Sequence, residues 1–481
     1  MHYERRRPEK TALYRVVQEH VETFFVHVQE ATGADLPQFV KDEFDAFLEC
    51  GILAHGFLRL RCADCGHDKL VAFSCKRRGF CPSCGARRMA QTAAHLVDHV
   101  IPHVPVRQWV LSLPIPLRLL LAAQPKLVTP VLQVVHRVIT RQLLGQAGLK
   151  ADEADSGAVT LIQRFGSAAN LNIHLHCLVL DGVYRRGADG VPEFVEVPAP
   201  TDEALQSVLH KIITRTMKLL TRRGVLVEEE GSTYMADNDG DSDEARTLRP
   251  LHAAACTYRI AFGPRAGQKV LTVQGVMPRD ADFKQTLCAD SHGFSLHAAV
   301  RCGADDRQAL EQLCRYITRP ALANERVQTN AAGQVVLKLK TPWRDGTTHL
   351  VMSPLEFMQR LAALVPRPRL HLIRFHGVLA PNAKLRALVV PQVPEAPAQA
   401  AKPAECDANC AHHRPVLLSW AKLLKRVFEL DLEHCPNCGG ELKIIAAILE
   451  APVIEKILTH LGLHARAPPR APARDQALQA A

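Results

Sequence analysis

Two C-x-x-C knuckles constrain this chain more than any other feature. In "CADCGHDKLVAFSCKRRGFCPSCGARR", Cys62 and Cys65 are followed, fifteen residues later, by Cys81 and Cys84. Four thiolates at this spacing suit one tetrahedral zinc ion, and they leave no open position for catalysis, so the ion is structural. A glycine directly after each second cysteine helps the backbone turn beneath a metal. Cys75, between the knuckles, is a spare or a replacement ligand. In a reducing compartment, paired cysteines among the 15 in the chain point to metal before disulfides. A second pair, Cys435 and Cys438 in "CPNCGG", marks a possible second zinc, with Cys406, Cys410, His412 and His413 as candidates to complete it.

The chain of 481 residues has room for several cores, and its formal net charge is +10. Basic residues cluster at the knuckles as Lys76, Arg77, Arg78, Arg87 and Arg88. Such clusters suit a polyanionic partner, and Arg77, Arg78, Arg87 and Arg88 are candidate phosphate contacts. The opening "MHYERRRPEK" lacks the apolar core of a signal peptide, and no apolar run is long enough for a membrane span. A cytoplasmic location is expected.

Hydrophobic periodicity divides the chain. Residues 12–105 read as two helices followed by the zinc-binding block and an amphipathic helix. Residues 106–390 mix strands and helices. The strand patterns include "RQWVLSLP", "GAVTLIQRFG", "NIHLHCLVL" and "CTYRIAF", and "QVVLKLK" with "TTHLVMS" reads as a hairpin. Residues 391–414, rich in proline and alanine, read as a linker. A small helical module carrying the last C-x-x-C spans 415–464, and a disordered tail 465–481. These patterns predict an α+β fold, because the apolar runs are too interrupted for a doubly wound parallel sheet.

"NLNIHLHCLVLDG" places His174 and His176 on one face of a strand, together with Asn172. Two imidazoles so arranged can converge on one metal ion. An isolated H-x-H is more often a pair of packing histidines, so the motif needs a partner. Of the six tyrosines, Tyr316 stands out. It lies in "DDRQALEQLCRYITRP", a helix capped by Asp305 or Asp306 and ended by Pro320. Leu310, Leu313 and Ile317 make the buried stripe. Tyr316 falls on its flank beside Arg315 and Arg319, as suits a nucleophile toward DNA phosphate.

H-hydrophobe-H on a strand, followed by a helical tyrosine, resembles the HUH single-strand endonucleases. The four-cysteine block, "RQWVLSLPIPLR", "HLHCLVLDGVY", "LCRYITRP", "SPLEFMQRLAALVPRPRLHLIRFHGVLAP" and "CPNCGG" follow in an order similar to transposases of the insertion sequence 91 type, nearest to their single-tyrosine common-region branch. The resemblance spans roughly residues 15–460. It implies an HUH-like antiparallel sheet with flanking helices, an N-terminal zinc-binding domain and a small C-terminal module. Many relatives carry a second tyrosine four residues earlier, where this chain has Gln312, so a single-nucleophile scheme is expected.

The resemblance further implies a rolling-circle DNA transposase acting on single-stranded element ends in the bacterial nucleoid. Tyr316 would form a 5′-phosphotyrosine, and His174 and His176 would hold magnesium or manganese, with Gln312 or His297 as third ligand. Arg315 and Arg319 are candidate phosphate clamps. Competing readings are an HUH replication initiator and a non-catalytic zinc-dependent DNA-binding regulator. A transposase with an acidic triad ranks last, because no set of carboxylates at strand ends presents itself.

Overall fold

A computed structural model describes residues 6–187, 190–229, 232–236, 242–275, 286–392, 422, 425–427 and 431–474. The N-terminal region runs through α1 (Ala12–Thr32), α2 (Gln38–Glu49), the hairpin β1 (Phe57–Cys62) and β2 (Asp68–Ala72), and α3 (Pro82–His99). The central region contributes β3 (Val106–Ser112), α4 (Ile115–Ala123), α5 (Val128–Ala147), β4 (Gly157–Phe165), β5 (Leu171–Leu180) and α6 (Asp202–Arg222). It continues with α7 (Asp243–Cys256), β6 (Cys288–Ser291), β7 (Phe294–His297), α8 (Arg307–Thr318), α9 (Pro354–Leu364) and β8 (Ile373–Gly377). Near the C-terminus lies β9 (Leu442–Ile448).

Seven strands form one antiparallel sheet in the order β6-β7-β3-β5-β4-β8, with Arg301–Cys302 also paired to β3. The fold is therefore α+β, with further small antiparallel sheets around this one. β5, the strand of the paired histidines, sits between β3 and β4 at the centre. Its alternation explains why. Ile173, Leu175, Cys177 and Val179 face one core, built with Leu120 and Leu121 of α4, Val135 and Ile139 of α5, and Phe357 and Leu361 of α9. Leu178 and Leu180, on the histidine side, face a second core with Leu96 and Val97 of α3 and Leu310, Cys314 and Ile317 of α8. A strand buried on both sides needs apolar residues at both parities, each worth about 1.5–3 kcal/mol when fully buried.

Register is locked electrostatically at the end of β5. Asp181 accepts two hydrogen bonds from the Arg107 guanidinium, each 2.9 Å, and a third from Arg301, also 2.9 Å. Arg107 and Asp181 are both buried. The "DG" turn signal thus doubles as an ion-pair anchor between β3 and β5.

Three expectations need correction. "CTYRIAF" is no strand: α7 ends there and Tyr258 adopts a left-handed turn conformation. The C-terminal C-x-x-C segment is not a separate helical module. Its strand β9 pairs antiparallel with β1, and the helix Ala451–His460 packs Ile454 and Leu458 against Leu53 and Phe57. Residues 465–474 of the expected tail are ordered, because their backbone finds partners on α1, and residues 475–481 lie outside the described residues. Ala471 donates to the Gln18 carbonyl, Arg474 N donates to Thr23 Oγ1, and Arg470 pairs with Asp45 and Glu22. Most of the expected linker lies outside the described residues. No single helix among the described residues is long and apolar enough to cross a membrane.

Candidate metal centres and nucleophile site

Eight of the described cysteines form two tetrads, each with every Sγ within 4.8 Å of the others. One holds Cys50, Cys75, Cys81 and Cys84; the other holds Cys62, Cys65, Cys435 and Cys438. This corrects the expected set of Cys62, Cys65, Cys81 and Cys84. The physical reason is β2. Its five residues lie between the knuckles and carry the chain about 16 Å along an extended path. Cys62 and Cys65 stay at the tip of the hairpin, while Cys81 caps the start of α3. Cys50, at the end of α2, and Cys75 then complete the inner tetrad, and β9 brings Cys435 and Cys438 to the outer one. Cys406, Cys410, His412 and His413 lie outside the described residues.

Both tetrads fit zinc. Tetrahedral zinc with bonds of about 2.3 Å places its sulfur ligands about 3.8 Å apart. The Sγ separations are 3.6 Å for Cys50–Cys84, 3.3 Å for Cys75–Cys84 and 3.7 Å for Cys50–Cys81. In the outer tetrad, Cys62–Cys438 and Cys65–Cys435 are both 3.5 Å. Hydrogen bonds from Cys50, Cys75 and Cys81 hold the Cys84 thiol far below its ordinary range, which favours the thiolate a metal requires.

The inner tetrad is built against the tyrosine helix. α3 lies along α8, and a Cβ added at Gly85 would come within 2.5 Å of Pro320 Cβ. A crevice of about 110 Å³ separates the two, lined by Arg77, Arg78, Arg88, Gln163, Thr318 and Arg319. Several of the predicted DNA-contacting arginines are already engaged. Arg78 donates to the Leu370 and Arg367 carbonyls, and Arg88 to those of Lys76 and Arg77. Arg77 lies 3.8 Å from Asp42, Arg315 pairs with Glu311, and Arg87 has partners as well.

On β5 the two imidazoles lie 4.8 Å apart, centroid to centroid. His174 Nδ1 sits 2.9 Å from the Asn172 carbonyl, to which its N–H donates, leaving Nε2 with a free lone pair. The Gln108 side-chain NH2 donates to His176 Nδ1 at 2.8 Å, so the neutral ring carries its proton on Nε2. Its Nε2 is buried with no hydrogen-bond partner, as is Asn172 Oδ1 on the same strand face. Burial holds His174 at about 4 and, with His174 and Arg319 nearby, His176 at about 3, so both rings are neutral at physiological pH. The lone pair of His174 Nε2 is what a bound cation would take, and His176 Nε2 would join it once the Gln108 amide turns its oxygen to Nδ1 and the ring proton moves there.

α8 packs on this face of the sheet. Asp306 caps it by accepting from Ala309 N, and Gln163 of β4, opposite His174, donates to the Ile317 carbonyl at 2.7 Å. Tyr316, next in the chain, is half exposed. Arg319 lies 4.4 Å from its ring centroid and Lys340 Nζ 4.2 Å. Arg319 also acts electrostatically on both histidines, so it links the phenol to the pair.

Of the two expected third ligands, His297 is not brought to the pair. His297 registers with Val110, which in turn registers with His176, so it stands two strand spacings away, about 9.5 Å. Gln312 is exposed one turn before Tyr316. Among the described residues no other His, Cys, Asp or Glu forms a ligand group with the histidines. The amides at hand are Gln108 and Asn172. Gln108 went unnoticed in the sequence. Its place on β3, beside the histidine strand, emerges only from strand pairing.

Two family models match the chain. Residues 16–113 match "Transposase zinc-binding domain" and residues 157–386 match "Putative transposase". The chain belongs to the insertion sequence 91 type transposases that carry an N-terminal zinc-binding domain. No curated protein and no solved structure matches it.

Proposed function

We propose that this transposase is an HUH-type enzyme that cleaves and rejoins single-stranded DNA in the cytoplasm, moving its element by a rolling-circle route. The observation that carries the reading is the tie between Gln163 and Ile317, which fixes the tyrosine helix on the face of the central sheet that presents His174 and His176. In this reading Tyr316, the neutral imidazole pair, Arg319 and Lys340 act as one site.

In the proposed reaction, the Tyr316 oxygen attacks the scissile phosphorus and loses its proton to solvent. The P–O3′ bond breaks, the departing oxygen takes a proton, and a 5′-phosphotyrosine and a free 3′-OH result. Attack by another 3′-OH reverses these bond changes and releases the tyrosine, so strands are joined without an external energy source. Arg319 and Lys340 offset charge on the phosphate beside the phenol. His174 and His176 would hold a divalent cation through their Nε2 atoms, with Asn172 Oδ1 or Gln108 as an amide neighbour. The chemistry such an ion would supply there is polarisation of the non-bridging phosphate oxygens, with magnesium and manganese as the candidates. Gln312 at the position of a second tyrosine supports a single-nucleophile scheme.

The test is covalent capture. Protein incubated with single-stranded element-end DNA and magnesium or manganese should give an adduct that survives denaturing electrophoresis. The adduct should vanish in Tyr316→Phe and fall strongly in His174→Ala or His176→Ala. Persistence in Tyr316→Phe refutes the nucleophile, and DNA binding without any adduct favours the regulator.

A further inference from the structure

The reverse face of the same sheet carries a second concave site that the chemistry above does not use. A cavity of about 420 Å³ opens between α5 and the edge strand β8, lined among others by Gln133, His136, Arg137, Thr140, Ser156 and His376. His136 and His376 stack face to face, 3.6 Å between centroids and 22° from parallel. His136 Nε2 is 2.5 Å from Thr160 Oγ1, and Thr140 and Ser156 hydroxyls are 2.8 Å apart. His376 Nε2 is buried without a partner. Gln133 and Arg137 stand exposed at the mouth, and Arg137 has no ion pair among the described residues.

The chemistry of the lining narrows the ligand. A metal ion needs imidazole lone pairs that converge at about 2.0–2.1 Å. Near-parallel stacked rings direct theirs side by side, and one His136 nitrogen is already committed to Thr160. A free anion would find two imidazoles that burial keeps neutral. What the cavity does offer is an unpaired ring nitrogen, an amide, two hydroxyls and a heteroaromatic stack, with one cation at the rim. That combination suits a planar heterocycle bearing donors and acceptors and tethered to a phosphate.

We propose that this cavity is a base-binding pocket that takes one unpaired base of the single-stranded DNA, with His376 Nε2 on the base edge and Arg137 on the adjoining phosphate. The inference rests on the single-strand reading above. The path is short. Ile373 lines the crevice beside Arg319, and His376 lines the cavity three residues further along the same edge strand, about 10 Å away. A strand leaving Tyr316 can cross the edge of β8, which pairs with no further strand among the described residues, to reach it. Because the pocket reads a base and not backbone alone, it would bias which sequence is held at the cleavage site.

The test uses the full chain and a random-sequence single-stranded 20-mer carrying 5-iododeoxyuridine. Ultraviolet cross-linking with peptide mapping should label the β8 peptide containing His376. A fluorescent form of the same DNA should bind about tenfold more weakly to His376→Ala, the cost of one hydrogen bond lost to a buried group. Arg137→Ala, at an exposed position that leaves folding intact, should weaken binding and lower the salt dependence by about one phosphate contact. A β8 cross-link in Tyr316→Phe supports the pocket even if the nucleophile assignment fails. Equal labelling of β8 by a blunt duplex overturns the proposal. So does wild-type affinity in both variants with no label on β8, even when the tyrosine adduct forms normally.

Discussion

Replacing Cys438 with serine removes one thiolate from a tetrad whose members lie as much as 376 residues apart in sequence. The purified variant should hold one zinc ion where the wild-type chain holds two. A structural zinc of this type is worth about 10–16 kcal/mol of apparent binding energy at neutral pH. The apolar anchors of the same segment, Leu442, Ile454 and Leu458, are buried, and together they supply about 5–9 kcal/mol. The metal contributes more than the packing, so its loss should free β9 from β1 while the central sheet stays folded. Elemental analysis after dialysis against a mild chelator reads the stoichiometry, and limited proteolysis reads the release of residues 431–474. Double variants decide the pairing. Cys62→Ser with Cys438→Ser should cost one zinc, because both serve the outer tetrad. Cys62→Ser with Cys81→Ser should cost two. A loss of only one zinc in that second variant would show that Cys62 and Cys81 share an ion, and the division into these two tetrads would be wrong.

Four other outcomes follow from the same contacts. Arg319→Ala and Lys340→Ala should each slow adduct formation by roughly 10- to 100-fold with both zinc ions retained, as expected for groups that stabilise phosphate charge; unchanged rates would remove them from the site. Gln163→Leu leaves the Ile317 carbonyl without its partner and should lower stability by about 1–3 kcal/mol in urea titration, and a neutral result would mean that α8 is held by packing alone. Asp181→Asn uncouples two arginines from their buried carboxylate and should cost about 3–5 kcal/mol, read as a drop in melting temperature. Burial holds His252 at about 3, against about 6.5 in an unfolded chain. Its contribution is therefore complete above pH 6.5 and is lost progressively as pH falls toward 3, about 2 kcal/mol between pH 6.5 and 5. Urea midpoints should show that decline, and His252→Gln should remove about 2 kcal/mol of it, the other buried histidines keeping their own shares.

The sequence was most legible where chemistry is local. Strand parity put His174 and His176 on one face, and the Asp306 cap and Pro320 bounded the tyrosine helix to within a residue or two. Those inferences need only the period of a strand or a helix. Cysteine pairing was not legible, because spacing carries no information about what folds between two knuckles. The short strand β2 sends one knuckle to Cys50 and Cys75 and the other to the far end of the chain. Basic clusters misled for a related reason. Arg78 and Arg88 look like surface charge in sequence, yet their guanidiniums bind backbone carbonyls, those of Arg367 and Leu370 for Arg78 and those beside Cys75 for Arg88. Gln108 and Lys340 have no distinguishing neighbours, and only tertiary contact brings them beside His176 and Tyr316.

The pairing of β9 with β1 has a consequence for synthesis. Cys62 and Cys65 leave the ribosome well before Cys435 and Cys438 exist, so the N-terminal domain lacks a strand and half of one ligand set until β9 has emerged. A gene copy truncated before that point would encode every residue of the nucleophile site and still yield an incomplete zinc domain. Translation through β9 thereby completes the zinc domain, because the outer tetrad joins two distant segments of the protein.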